Sequence, residues 1–143
     1  MQRAIEAAKN CGNEIAIGAV IVKGGEVIAS ACNRKETLKD VTAHAEILAI
    51  REAAKKLKTW RLKDCDLYVT LEPCPMCAWA IVQSGINAVY FGSYDRNYGA
   101  LGSVIDVRKL AGSKLKVYGG IKEIECDKLL KECFSNIRKK GNL

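Results

Sequence analysis

The stretch Leu71-Glu72-Pro73-Cys74-Pro75-Met76-Cys77 decides how this chain folds. Two thiols three residues apart, behind a strand-like run, can share one metal ion only if the backbone bends there. Pro73 and Pro75 are the only prolines in the sequence, and they flank Cys74. Pro75 suits the first position of a helix, where no amide donor is needed, so strand exit and helix start are both set at the sulfur of Cys74. Cys77 then lies one turn on and faces the same way.

Two thiolates are half of a tetrahedral zinc site. His44 is the single histidine; it stands in Thr42-Ala43-His44-Ala45-Glu46, 30 residues before Cys74. With His44, Cys74 and Cys77 as ligands a fourth position stays open for water, which is the catalytic arrangement and not the closed structural one. Taken separately, a His-x-Glu is an ordinary surface or core pair, and a Cys-x-x-Cys serves redox chemistry or structural zinc. The joint pattern with Pro73 at this separation points to a catalytic zinc ion, Zn2+, one per chain. Glu46, which is not a ligand, is the candidate proton shuttle between water and a substrate ring nitrogen.

At 143 residues, 49% hydrophobic and 27% charged, the sequence reads as a single soluble domain over 1–143 with a core of ordinary size. No apolar run approaches the roughly 18 residues of a membrane span. Residues 1–10 are amphipathic without a signal-peptide core, so a cytoplasmic protein with no membrane partner is expected. Cysteine number is odd, at seven, and the chain is not short, which argues against a secreted disulfide framework. Cys11, Cys32, Cys65, Cys126 and Cys133 are therefore read as reduced thiols. Twenty-three basic against sixteen acidic residues leave a net charge of +7, which fits a polyanionic partner.

Around the two ligand segments the periodicities alternate. An amphipathic helix is expected over 2–10, closed by a left-handed glycine at Gly12. A continuous apolar strand follows over 15–22, with Gly18-Ala19 admitting either a ligand or a closely packed helix. Residues 23–26 make a hairpin into a strand over 27–31. From Thr42, the candidate cap, apolar residues recur at helical spacing through Ile47, Ile50, Ala54 and Leu57. His44 and Glu46 are two apart and so converge only near the first turn. Strands are expected over 65–71, 86–92 and 114–118, and helices over 75–84, 104–110 and 125–139. This order implies an α/β protein, a three-layer α/β/α domain on a mixed five-stranded sheet, with both ligand segments starting helices at one edge. The positive helix ends there favour thiolates.

The chain also resembles the bacterial tRNA adenosine deaminases of the zinc-dependent cytidine/deoxycytidylate deaminase superfamily. Beyond the zinc motif, the resemblance is carried by Asn33-Arg34, Ile47-Leu48-Ala49-Ile50-Arg51, Trp60-Arg61-Leu62, residues 67–77, Phe91-Gly92 and Gly102-Ser103. It ends in Leu129-Leu130-Lys131-Glu132-Cys133-Phe134 with Arg138. It implies a cytidine-deaminase-like fold and hydrolytic conversion of the wobble adenosine in a tRNA anticodon to inosine, by a homodimer whose clefts receive a flipped-out base. By position it implies zinc on His44, Cys74 and Cys77, proton transfer by Glu46, and a purine contact from Asn33. Asp95 would then lie near the flanking nucleotide, with Phe134, Arg138 and Lys139 toward the anticodon arm and Lys140 in the same basic tail.

Ala16, Trp79, Gly85 and Asn97 stand where that family usually carries other residues, and Trp79 falls where a dimer contact is expected. Two other readings stay open: a zinc deaminase of free bases or nucleosides, of the guanine, cytosine or adenosine type, and a non-catalytic RNA-binding subunit with structural zinc. An inactive subunit has no need of Glu46.

Overall fold

The structure, a computed structural model, describes residues 1–139; Lys140 of the basic tail lies outside the described residues. In chain order the elements are α1 (Gln2–Lys9), β1 (Gly18–Lys23), β2 (Glu26–Cys32), α2 (Lys35–Leu38), α3 (Ala45–Leu57), β3 (Cys65–Leu71), α4 (Pro75–Ser84), β4 (Ala88–Ser93), α5 (Val107–Ala111), β5 (Lys116–Tyr118) and α6 (Glu123–Lys139). The sheet has five strands in the order β2-β1-β3-β4-β5. β1 is antiparallel to both β2 and β3, while β3–β4 and β4–β5 are parallel. This is the mixed α/β sheet expected from the sequence.

The hairpin between β1 and β2 turns on Gly24 and Gly25, both at positive φ, the pair of left-handed residues that a two-residue turn matched to strand twist requires. Because side chains alternate across a strand, each strand feeds two layers. Ala19, Ile21, Leu67, Val69, Val89 and Phe91 join one core with Ala45, Ala49 and Ala53 of α3, Ala78 and Ile81 of α4, and Val107 of α5. On the opposite face α1 and α6 cover the sheet. A Cβ on Gly18 would come within 2.1 Å of the Ala4 carbonyl oxygen and 2.5 Å of the Ala8 nitrogen in α1, and one on Gly92 within 2.3 Å of the Cys126 sulfur in α6. Gly18 thus serves helix packing, which resolves the two readings left open for it. On this face Tyr68, Tyr90 and Tyr118, cross-strand partners on β3, β4 and β5, stack with ring centroids 4.6 and 5.0 Å apart.

Boundaries moved where tertiary partners outweigh local pattern. The strand expected from residue 15 begins at Gly18, since the Ile17 amide bonds to Ile15 O and leaves the ladder. Between β2 and the histidine segment, residues 33–40 contain the short helix α2. Helix α3 begins at Ala45 and not at Thr42, with His44 in the cap position in extended backbone. The C-terminal cap of α1 is Asn10, and the left-handed Gly12 comes two residues later. All seven cysteines are free; Cys11, Cys65 and Cys126 are buried, Cys32 and Cys133 half-buried. No helix among the described residues is long and apolar enough to cross a membrane.

Replacing Gly18 by alanine drives a methyl group into the backbone of α1, and G18A should lose about 3 kcal/mol of stability in urea unfolding. Wild-type stability would contradict the docking of α1 on β1.

Candidate active site

The carboxyl end of β3 and the loop after α2 deliver the two ligand segments to one place. Cys74 occupies the cap of α4 in extended backbone (φ −73°, ψ 173°), and Pro75 opens the helix as expected. His44 occupies the cap of α3 in the same way (φ −75°, ψ 153°). Two helix starts therefore aim their positive ends at one point. The His44 Nδ1 atom lies 3.5 Å from Cys77 Sγ and 3.7 Å from Cys74 Sγ, and one donor atom from each of the three residues lies within 4.8 Å of the others. Zinc bond lengths at a tetrahedral angle put imidazole nitrogen and thiolate sulfur about 3.6 Å apart, so this donor set fits the ion.

The three donors share protons among themselves. A hydrogen bond from Cys77 pulls the Cys74 thiol down to about 4 against the effect of burial, with His44 adding to the pull. The hydrogen bond with Cys74 raises His44 above its ordinary value. Cys77, whose proton serves Cys74 and which is buried, is pushed up. A divalent cation takes the place of these shared protons, so metal binding releases them.

Glu46 stands in the first turn of α3, 3% exposed. Its Oε1 is buried without a hydrogen-bond partner, and burial pushes the carboxyl up to about 7. Such a group is poised to hold and release a proton near neutral pH. Together with His44 and Cys74 it lines a cleft of about 810 Å³, within the range of small-ligand sites.

The structure brings Asn33 and Asp95 to this cleft. The Asn33 Oδ1 accepts the Ala45 amide at 2.9 Å, capping α3. One lone pair of Oδ1 is thereby committed to the helix start, and Nδ2 is the donor that Asn33 can offer a ligand. Asp95 Oδ1 accepts the amides of Asn97 and Tyr98, both at 3.0 Å, and so shapes its own loop. From α6 the cleft takes Ile137, whereas Phe134 is half-buried and Arg138 and Lys139 are exposed near that helix end.

Sequence reasoning missed Glu14, Lys35, Glu72 and Tyr98, which also line the cleft. Glu14 is the most informative of these. Its carboxylate accepts the Glu36 amide at 3.1 Å, the Thr37 amide at 2.7 Å and the Thr37 hydroxyl at 2.6 Å, fixing α2 as one wall. Burial alone would push this carboxyl up; the Thr37 hydroxyl, the two amides and nearby Arg34 outweigh it and hold the group below its ordinary range.

Residues 1–93 match the family model described as the cytidine and deoxycytidylate deaminase zinc-binding region. The chain is 44% identical to the tRNA-specific adenosine deaminase of Bacillus subtilis, over 98% of this chain and 89% of that protein. It is 42% identical to the tRNA-specific adenosine deaminase of Agrobacterium fabrum, over 96% and 93%. A structure solved in a study of A-to-I editing by tRNA:A34 deaminases superposes with a TM-score of 0.84 at 43% identity, covering 91% of this chain and 97% of that one. A guanine deaminase structure from Bacillus subtilis is also similar, at 34% identity and a TM-score of 0.63, covering 78% and 87%.

Because the folded Glu14 has a lowered pKa, its stabilisation is present in full above the unfolded value of about 4.3 and is lost as pH falls through the folded value. E14Q should cost about 1–3 kcal/mol at neutral pH, and its difference from wild type should shrink below about pH 4. Denaturant unfolding of both proteins across that range measures it; a difference independent of pH would contradict the assignment.

Proposed function

The chain belongs to the cytidine and deoxycytidylate deaminase zinc-binding family, and from that premise we propose that it hydrolyses the wobble adenosine of a tRNA anticodon to inosine. It is a zinc-dependent hydrolase of the deaminase class. The observation that carries the chemistry is the buried, partnerless Glu46 Oε1 beside a three-donor metal set at the wall of a nucleoside-sized cleft. The substrate class is supported by the likeness, over nearly the whole chain, to tRNA-specific adenosine deaminases.

In this reading His44 Nδ1 and the sulfurs of Cys74 and Cys77 hold one zinc ion. When bound, zinc supplies the Lewis acidity that brings water toward ionisation near neutral pH, the chemistry for which zinc nucleobase deaminases are the known example. Glu46 takes a proton from the attacking water and passes it to the purine N1. It then serves the departing amino group, so the water oxygen ends on C6 and nitrogen leaves as ammonia. Asn33 Nδ2 donates to the purine, and Asp95 meets the flanking nucleotide. Phe134, Arg138 and Lys139 face the anticodon arm, where the net charge of +7 assists a polyanion.

Residues 1–143 act as one catalytic domain, a reading supported by the single sheet and its continuous core. The active form is a cytoplasmic homodimer. Met76 and Trp79 on α4 and Val104 and Ile105 ahead of α5 support the dimer, being apolar yet exposed in one chain.

Replacing Glu46 by glutamine keeps the shape and removes the shuttle. E46Q should retain zinc and fold while turnover falls by at least about 10²-fold; retained turnover would remove the role assigned to Glu46. The substrate is tested by offering zinc-loaded protein an adenosine-wobble anticodon stem-loop together with free adenosine, guanine, cytosine and cytidine, and counting products by mass spectrometry. Inosine in the stem-loop alone is expected. Product from a free base or nucleoside would keep the mechanism and discard the tRNA.

A further inference from the structure

We propose that Glu72 is a positioning residue for the cleft: its buried carboxylate is the post around which residues 95–103 are wound, and it sets how the substrate-facing loop meets its ligand. This rests on the proposed function only in taking a polynucleotide base as the occupant of the cleft.

Glu72 is the first residue beyond β3, two before Cys74, and is 2% exposed. Its backbone amide continues the sheet to Ser93 O at 2.8 Å, which turns the side chain under the loop that leaves β4. There Oε1 accepts the Asp95 amide at 3.2 Å and the Ser103 hydroxyl. Oε2 accepts the Leu101 amide at 3.2 Å and the Ser103 amide at 3.1 Å. All four are uncharged donors, and they come from both ends of one loop. The Ala100 amide adds a bond to Pro73 O at 2.9 Å, so the strap is tied to the backbone between Glu72 and Cys74 as well.

Gly99 shows how closely the loop is wound. A Cβ there would come within 2.5 Å of Glu72 Cδ, 2.6 Å of its Oε1 and 2.4 Å of Asp95 O. Glycine is needed at this point for room, because the loop passes directly over the carboxylate. The residues that the wrapped loop presents to the cleft are Asp95, whose amide is held by Glu72, and Tyr98, whose amide is held by Asp95. A chain of contacts thus runs from Glu72 through Asp95 to the wall of the cleft that His44 also lines.

The charge matters to this arrangement, not only the volume. An ionised carboxylate offers acceptors alone, matching four donors, whereas an amide of the same shape turns one terminus into a donor facing donors. Glu72→Gln leaves the core filled and releases one side of the loop.

The test compares wild type, E72Q and G99A for zinc content, hydrogen exchange over residues 95–103, and KM and kcat on the anticodon stem-loop. Stem-loop affinity is measured separately in the E46Q background, where turnover is slowed by at least about 10²-fold. E72Q should keep its zinc and its kcat, raise KM and the dissociation constant about tenfold, as expected for one lost charge-assisted hydrogen bond, and speed exchange in the loop. G99A, which pushes the loop off from the opposite side, should show the same pattern and stands in should E72Q fail to fold. A merely structural Glu72 would lower the unfolding temperature while KM per folded molecule and loop exchange stayed at wild-type values, and that result overturns the proposal. Loss of zinc and kcat with KM unchanged would also overturn it, assigning Glu72 to Cys74 instead. A wild-type protein that ignores the stem-loop defeats the tRNA reading, not this one, since loop exchange in E72Q and G99A still decides the role of Glu72.

Discussion

Three donor atoms carried by two helix starts must meet within 4.8 Å, and much of the architecture exists to satisfy that demand. Cys74 and Cys77 come from the crossover between two parallel strands; His44 comes from the far side of a hairpin, 30 residues earlier. They meet because β1 lies between β2 and β3, which sets α3 and α4 side by side on one face with their N-termini at the same edge. Ala45, Ala49 and Ala53 let α3 sit close to the sheet, each fully buried. Larger residues there would lift the helix and carry His44 off the sulfurs.

Three buried glutamates surround that centre, and the fold treats them differently. Glu14 and Glu72 are each surrounded by amide and hydroxyl donors and act as anchors for a helix and a loop. Glu46 is buried as deeply, yet its Oε1 shares with Ser93 Oγ the distinction of lacking a partner among the described residues. A buried polar group without a partner costs stability, which the protein tolerates where the group must exchange a proton with something else. Hydrogen-bond saturation thus separates the two scaffold carboxylates from the one proposed to carry protons more cleanly than burial does.

The same distinction explains what was legible in the sequence. Pro73, Pro75 and the spacing of Cys74 and Cys77 announced the start of α4, because a proline acts on its own neighbours. His44 and Glu46 were legible as a pair that must sit at a helix start, and the alternation of helices and strands implied the sheet. The cap of α3 was not, since its first amide is satisfied by Asn33, 12 positions upstream. Glu14 reaches across 23 residues to Thr37, and Glu72 across 31 to Ser103. No local periodicity reports such bonds, and a lone glutamate in a turn reads as a solvated charge until the fold buries it. Glu72 did carry one signal, its place inside the motif itself.

The tyrosine row on the opposite face has its own bearing on this chemistry. Tyr68, Tyr90 and Tyr118 stack only when β3, β4 and β5 are paired in the observed register, and a slip by one residue would send the ring of the slipped strand to the other face. Asp95 lies five residues beyond Tyr90 on the same continuous chain. The stack therefore works as a vernier: an error of one notch, about 3.3 Å along the strand, would be passed undiminished to the loop that lines the cleft, and the rings make that notch hard to miss.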